Sequence, residues 1–403
     1  MSLSSLNGSE LHVRVVSRCL VKASDTTIEP HVLAVSNLDL LRQTIQVTMF
    51  CVYTKPPAAD FNAVVAAFKA GLPTLLNHFF LFAGRIAINP SSGLPEVHCY
   101  NQGAELVVGE AGVALAALDY GKTSASLWRI QQPYGQDVAL SVQVVSFKCG
   151  GFTVAWCTDH VLVDGSTLCF LVSSWADIAR MGTLAAGSWP NHDRLVFRPR
   201  VPPSCNASLD KAFTPLEGER QVNVLTRDQS LVERMYYIEA SDVARLREAA
   251  SREGHRATRV QAVSAYLWKT LASVVGTADV HCRMGWWVNG RRRLTTPELR
   301  PAMRNYVGNV VTLAVREANV EEVLRMPLHD VAGMVHQAIT APAYDRHFQE
   351  LVDWVEEQKI KRYTETETLG LGAPTVTVTA FTSFGIDTDF GFGRAALATP
   401  MGN

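Results

Sequence analysis

The chain has 403 residues, enough for two folding units of roughly 200 residues each. Hydrophobic residues make up 47% and charged residues 19% of it, the balance of a packed globular protein and not of a disordered or fibrous one. A formal net charge of −1, with Arg291, Arg292 and Arg293 as the one dense basic cluster, excludes an extended nucleic-acid-binding face. Those three arginines suit a local anion or a buried carboxylate instead.

No stretch reaches the ~18 uninterrupted apolar residues of a membrane-crossing helix. The Ser-rich residues 1–10 lack the basic and then apolar pattern of a secretory signal, and residues 400–403 carry no retention or peroxisomal signal. Eight cysteines, at positions 19, 51, 99, 149, 157, 169, 205 and 282, never form a C-x-x-C pair. Dispersed thiols fit core packing in a reducing compartment, so a cytoplasmic protein without a metal site is expected.

In chain order, β-branched runs predict strands over residues 11–16 and 44–52, and apolar positions at three- and four-residue spacing predict a helix over 61–80. Residues 139–147 and 152–158 read as a hairpin closed by Lys148-Cys149-Gly150-Gly151. A helix follows from Ser166 to about Ala179. Residues 182–215 hold seven of the Gly and Pro residues and little periodicity, which marks a crossover linker between residues 1–181 and residues 216–403. The second half restarts with a strand over 232–239 and a helix for which Ser241 is the expected N-cap. A more apolar helix over 259–275 and strands over 284–288, 310–315 and 375–381 complete the pattern. The mixture predicts two α/β domains facing each other across a cleft.

Among 11 histidines, His160 stands out because it follows directly on the predicted strand 152–158 and precedes Asp164-Gly165. Side chains at such a strand end face the crevice where α/β proteins bind ligands. An imidazole there, with a pKa near neutrality, suits general-base work on a hydroxyl or amine. Three other readings compete: a structural histidine, a His/Asp metal pair, and a thiol nucleophile at Cys157 or Cys149. The metal reading lacks a third ligand, and Cys157 has no cationic neighbour to lower its pKa. Signatures of serine hydrolases, P-loops and dinucleotide folds are missing from the sequence.

The run His160-Val161-Leu162-Val163-Asp164-Gly165 resembles the H-x-x-x-D-G signature of the plant BAHD acyltransferases, and Asp389-Phe390-Gly391-Phe392-Gly393 resembles their D-F-G-W-G. Between and around them, Ser36-Asn37-Leu38-Asp39, Ala83-Gly84-Arg85, residues 99–104, Asn289-Gly290-Arg291-Arg292-Arg293 and Tyr306-Val307-Gly308-Asn309 resemble further family elements in the family's order. The resemblance implies two chloramphenicol-acetyltransferase-like domains joined by a crossover loop, with the active site in the channel between them. It implies transfer of an acyl group from an acyl-CoA co-substrate to an alcohol or amine by a monomer with no resident cofactor. His160 would be the general base and Asp164 a scaffold held by an arginine. Asp389 would pair with Arg291 or Arg293, and Gly165, Gly391 and Gly393 would shape the two motifs.

Three departures stand out. Phe392 replaces the motif tryptophan, and Phe384 replaces the tryptophan of a T-S-W element, leaving Thr382 as the expected oxyanion donor. Only ten residues follow Gly393, where family members usually continue; an exposed sheet edge in the second domain is the expected result. A catalytically weak relative that binds CoA esters or a partner is the alternative to an enzyme. Neither a cationic clamp for an acidic acceptor nor a determinant of the acyl group is visible in the sequence.

Overall fold

The structure, a computed structural model, describes residues 11–42, 44–215, 233–359, 363–365, 373–382 and 384–402. The expectations for residues 1–10, Val232 and Ser383 lie outside the described residues.

In the first half the elements run β1 (Val13–Val21), β2 (His31–Ala34), α1 (Asn37–Leu40), β3 (Gln46–Tyr53), α2 (Phe61–His78), β4 (Arg85–Ile88), β5 (Pro95–Cys99), β6 (Ala104–Ala111), α3 (Leu127–Ile130), β7 (Leu140–Phe147), β8 (Phe152–Asp159) and α4 (Gly165–Met181). The Gly-Gly turn closes the β7–β8 hairpin as expected. Gly150 adopts φ +80°, a left-handed conformation that glycine takes without a Cβ penalty. Every residue of β8 is buried, because the main sheet is covered on both faces. That sheet has the order β1-β6-β7-β8-β3 and then a sixth strand, β14, from the far end of the sequence. Within this sheet, among the described residues, only β6 and β7 pair in parallel. Helices α2 and α4 pack on one face around Trp156, Trp175 and Phe68, with ring centroids 5.1–5.9 Å apart. Gly71 is what lets α4 approach, since a Cβ there would sit 2.6 Å from the Trp175 indole nitrogen. Residues 182–215 contain only α5 (Ser208–Ala212) and β9 (Phe213–Pro215) beyond single turns.

The second half continues with α6 (Ala240–Ala249), α7 (Arg259–Val275), β10 (His281–Asn289), α8 (Leu299–Ala302), β11 (Val311–Asn319), α9 (Val320–Arg325), α10 (Leu328–Thr340), α11 (Tyr344–Gln358), β12 (Tyr363–Glu365), β13 (Thr375–Val378) and β14 (Leu397–Gly402). Helix α7 has the expected span and starts on a capping box, in which Thr258 and Gln261 satisfy each other's backbone N–H. Its Trp268 packs against Trp286 of β10, 5.8 Å between centroids, beneath a sheet of order β11-β10-β13. Strand β13 is an edge of that sheet among the described residues.

Three expectations are corrected. Residues 233–239 form no strand: Tyr236 and Tyr237 are exposed, so their β propensity meets no neighbouring strand. Helix α6 begins at Ala240 with Glu239 at the cap position, which places Ser241 inside the first turn and not at the N-cap. The strand predicted over 375–381 stops at Val378, and Thr379 onward turns into a cavity wall. Helices α9, α10 and α11 were not anticipated, yet Phe348, Leu351, Val352 and Val355 of α11 recur at helical spacing and are all buried. Among the described residues no helix is long and apolar enough to cross a membrane.

Candidate active site

Strand β8 ends where Asp159 folds its carboxylate back on the chain. Its Oδ1 accepts the Val161 N–H at 2.8 Å and the Ile45 N–H at 3.2 Å. Burial pushes this carboxyl up to about 6. The next residue, His160, is pinned through its backbone: its N–H donates to the Ile45 carbonyl at 2.8 Å, and its carbonyl accepts from Asn309 Nδ2, also at 2.8 Å. Asn309 is itself fixed by Asp39, whose Oδ1 takes both the Asn309 backbone N–H at 2.7 Å and its side-chain amide at 2.9 Å. The His160 imidazole is held below its ordinary pKa, first by burial and then by the Arg42 charge, with Asp164 acting in the opposite sense. It is therefore neutral at neutral pH, with a lone pair available for a proton.

Asp164 is the N-cap of α4, at φ −102° and ψ 178°, and accepts the Thr167 N–H at 2.9 Å. Its other oxygen receives Arg291 Nη1 at 2.5 Å and the Val310 N–H at 3.0 Å. Burial alone would raise this carboxyl; the Arg291 charge and these hydrogen bonds hold it below its ordinary range. The second Arg291 nitrogen donates to the Thr167 hydroxyl at 3.0 Å and to the carbonyls of Gly308, at 2.6 Å, and Tyr306, at 3.3 Å. One guanidinium thus staples the His160–Asp164 loop to the segment between α8 and β11. The Asp164 carboxylate oxygens are taken by Thr167, Arg291 and Val310, and none of these bonds reaches the His160 imidazole, whose Nδ1 has no hydrogen-bond partner among the described residues.

The expected pairing of Asp389 with Arg291 or Arg293 is wrong. Asp389 accepts the backbone N–H groups of Gly391 at 2.7 Å and Gly393 at 3.0 Å, within its own turn. Both glycines sit at φ +96°, which explains why the motif needs glycine at each. Arg291 is committed to Asp164, and the Arg293 guanidinium lies 5.8 Å over the Tyr344 ring. The motif anchors through Phe390, which is buried and stacks on Trp156 at 5.6 Å, while Phe392 meets Phe152 edge-on at 6.3 Å. A local turn needs no long-range partner, and it is the choice of partner that the motif could not reveal.

Beside the N-terminus of α4 lies a cavity of about 670 Å³, walled by Gly165, Ser166, Trp286 to Asn289, Arg292 and Arg293. Val378 to Thr382 and Phe384 also line it, with Val378 beside Trp286 on the neighbouring strand, so the expected oxyanion donor Thr382 borders this space. A Cβ on Gly165 would stand 2.8 Å from the Phe381 ring. Gly165→Ala should therefore displace Phe381 into the cavity and destabilise the protein by about 1–3 kcal/mol; urea unfolding together with acceptor KM checks both effects. A smaller cavity, about 60 Å³, is bounded by Leu41, Arg42, Phe213, Thr312 and His347, and Val311 borders both spaces. The Arg42 guanidinium lies 4.4 Å over Trp287, a residue of the larger cavity. Arg42 and the bridging role of Asn309 had no signal of their own in the sequence beyond the motif in which Asn309 sits.

The thiol reading fares poorly. Cys157 is fully buried and burial pushes its thiol up to about 12, so it offers no thiolate. Cys149 is exposed on the hairpin turn, where the Leu115 N–H approaches its sulfur at 3.5 Å. Among the described residues no three His, Cys, Asp or Glu side chains come together as a metal site.

The sequence profile of the Transferase family matches residues 11–401. The chain belongs to that family, the BAHD acyltransferases. Its relatives include the omega-hydroxypalmitate O-feruloyl transferase of Arabidopsis thaliana, 25% identical over 99% of this chain and 86% of the relative. Another is putrescine hydroxycinnamoyltransferase 1 of Oryza sativa subsp. japonica, 29% identical over 86% of this chain and 78% of the relative. The fold matches vinorine synthase with a TM-score of 0.69 at 22% identity, covering 96% of this chain and 88% of the other. It also matches F. graminearum TRI101, solved with coenzyme A and T-2 mycotoxin, with a TM-score of 0.70 at 13% identity over 92% and 89% of the two chains. This BAHD chain is accordingly an acyl-CoA-dependent acyltransferase with the chloramphenicol-acetyltransferase-like architecture.

Proposed function

We propose that this acyltransferase moves an acyl group from a CoA thioester to the hydroxyl or amine of a small specialised-metabolite acceptor, with His160 as general base. The observation that carries the reading is the neutral, backbone-pinned imidazole at the end of β8, one loop away from the cavity at the α4 N-terminus. In this mechanism His160 takes the acceptor's proton while the oxygen or nitrogen attacks the thioester carbonyl. A tetrahedral oxyanion forms and collapses, the carbon–sulfur bond breaks, and the proton passes to the departing thiolate. No acyl-enzyme is needed, because a thioester is already activated and positioning does the rest. The Thr382 hydroxyl, on the cavity wall, is the candidate donor to the oxyanion. Asp164 and Arg291 serve as scaffold. Relatives named for a hydroxy fatty acid and for a diamine support alcohol and amine acceptors as the class to screen.

The test is free-thiol release from acyl-CoA thioesters against a panel of alcohols and amines. Release that depends on both an acceptor and His160 is the expected result. CoA-ester binding without release would favour the inactive-relative reading instead.

A further inference from the structure

A second arginine–aspartate pair reaches the His160 loop from the crossover segment. Arg194 opens a single turn there (Arg194–Val196) and is the most deeply buried arginine or lysine among the described residues. Its Nη1 lies 3.1 Å from Asp39 Oδ2. That oxygen also accepts the Ser36 backbone N–H and hydroxyl, each at 2.8 Å, while Asp39 Oδ1 is taken by Asn309. Asp39 and Asn309 are both fully shielded from solvent, so the buried carboxylate depends on Arg194 for its countercharge.

Each contact fixes the next. Asn309 has two amide hydrogens and both have acceptors, Asp39 Oδ1 at 2.9 Å and the His160 carbonyl at 2.8 Å. With an acceptor on each, the amide can face only one way. A hydrogen bond to a carboxylate is stronger than one to a neutral oxygen. Asp39 therefore sets the amide, and its second N–H is left aimed at His160. The His160 backbone thus has two grips, Ile45 on its N–H and Asn309 on its carbonyl. Gly308 lets the guanidinium approach, since a Cβ there would collide with Arg194 Nη1. Arg194 and Arg291 lie 5.8 and 5.9 Å over the Tyr306 ring, and Arg291 also donates to the Gly308 carbonyl. Residues 306–309 are accordingly held by two arginines, one paired with Asp164 and the other with Asp39.

We infer that Arg194 is a positioning residue for His160, acting through Asp39 and Asn309 on the backbone that carries the imidazole. The inference rests on the general-base reading of His160 and gives the crossover segment a part in the chemistry. Misplacing a reacting group by about 1 Å can cost about 10²-fold in rate, so a contact this remote has leverage.

Arg194→Met keeps most of the side-chain length and removes the charge. In thiol-release assays its kcat should fall by about 10- to 100-fold, with the acyl-CoA KM within about 3-fold of wild type. Arg194→Lys should recover part of the loss, because it keeps the charge without the planar fork. Two readouts separate positioning from a general loosening of the fold. In a His160→Ala background, Arg194→Met should cost less than about 3-fold, since no imidazole remains to be misplaced. In the protein with His160 intact, Arg194→Met should move the rising limb of kcat/KM up in pH toward the ordinary 6.5. The freed loop returns the imidazole to water, while Arg42 and Asp164, the charges that act on it, stay in place. Should Arg194→Met fail to fold, combining it with Asp39→Asn removes the stranded carboxylate, and the same two readouts apply to that double variant. An equal loss in both backgrounds, an unmoved limb or a wild-type kcat overturns the inference. A wild-type rate in His160→Ala rejects the base reading itself, whereas a reduced rate there with equal Arg194 losses rejects only the role of Arg194.

Discussion

Replacing His160 with alanine should lower turnover by about 10²–10⁴, the usual worth of general-base help, while the protein still folds. Folding should survive because the imidazole contributes little to the hydrogen-bond network. Its Nδ1 is buried without a partner, and the bonds that fix the residue run through its backbone N–H and carbonyl, which alanine keeps. The same experiment carries a pH signature. Since the folded imidazole titrates below its ordinary 6.5, kcat/KM in the wild type should rise with pH through a midpoint under that value and be level at neutrality. That limb should vanish in His160→Ala. A wild-type rate in the variant, or an unchanged limb, would remove His160 from the chemistry.

Arg291→Ala is expected to be the most damaging single change to stability. It leaves Asp164, only 2% exposed, as a buried carboxylate without its cation, a loss in the range of 3–5 kcal/mol. It also strips donors from the Gly308 and Tyr306 carbonyls and the Thr167 hydroxyl. The effect should depend on pH in a defined direction. In the wild type the Asp164 pKa is depressed below 3.8, so its stabilising contribution is present above that value and lost as pH falls through the depressed pKa. Without Arg291, burial raises the same pKa, and the variant carries its penalty at neutral pH but sheds it on protonation. Urea unfolding of both proteins at neutral pH and near pH 4 should therefore show the gap narrowing in acid. A gap that stays constant would mean that Asp164 is not the group left unpaired.

The sequence was legible where a local rule acts without help. The Gly150-Gly151 turn, the β-branched runs on either side of it and the apolar spacing in residues 259–275 each specify their element from neighbouring residues alone, and the structure has β7, β8 and α7 there. The order of motifs was enough for the family, and the family carries the fold. What stayed hidden depends on partners brought together by folding. Asp164 and Asp389 looked alike in sequence, each an aspartate in a Gly-bearing motif, yet one takes Arg291 and the other only the N–H groups of its own turn. Arg42 gained meaning only beside Trp287 and the His160 loop. Tyr236 and Tyr237 show the opposite failure, strand formers with no strand to pair with.

Strand β14 has a consequence for how the molecule is made. Leu397 pairs with Val52 and Gly402 with Val47, antiparallel, along the outer edge of β3, the strand next to the one that leads to His160. Ribosomes release chain from the N-terminal end, so β1 through β8 emerge and collapse long before residues 397–402 exist. Until then β3 is an open edge, with unpaired N–H and C=O groups able to recruit another strand. The half of the protein that holds the catalytic histidine can thus begin to fold early, but its sheet is finished last. Such distant pairing makes this closure slow, and nascent chains should depend on chaperones that shield edges until synthesis has passed Gly402.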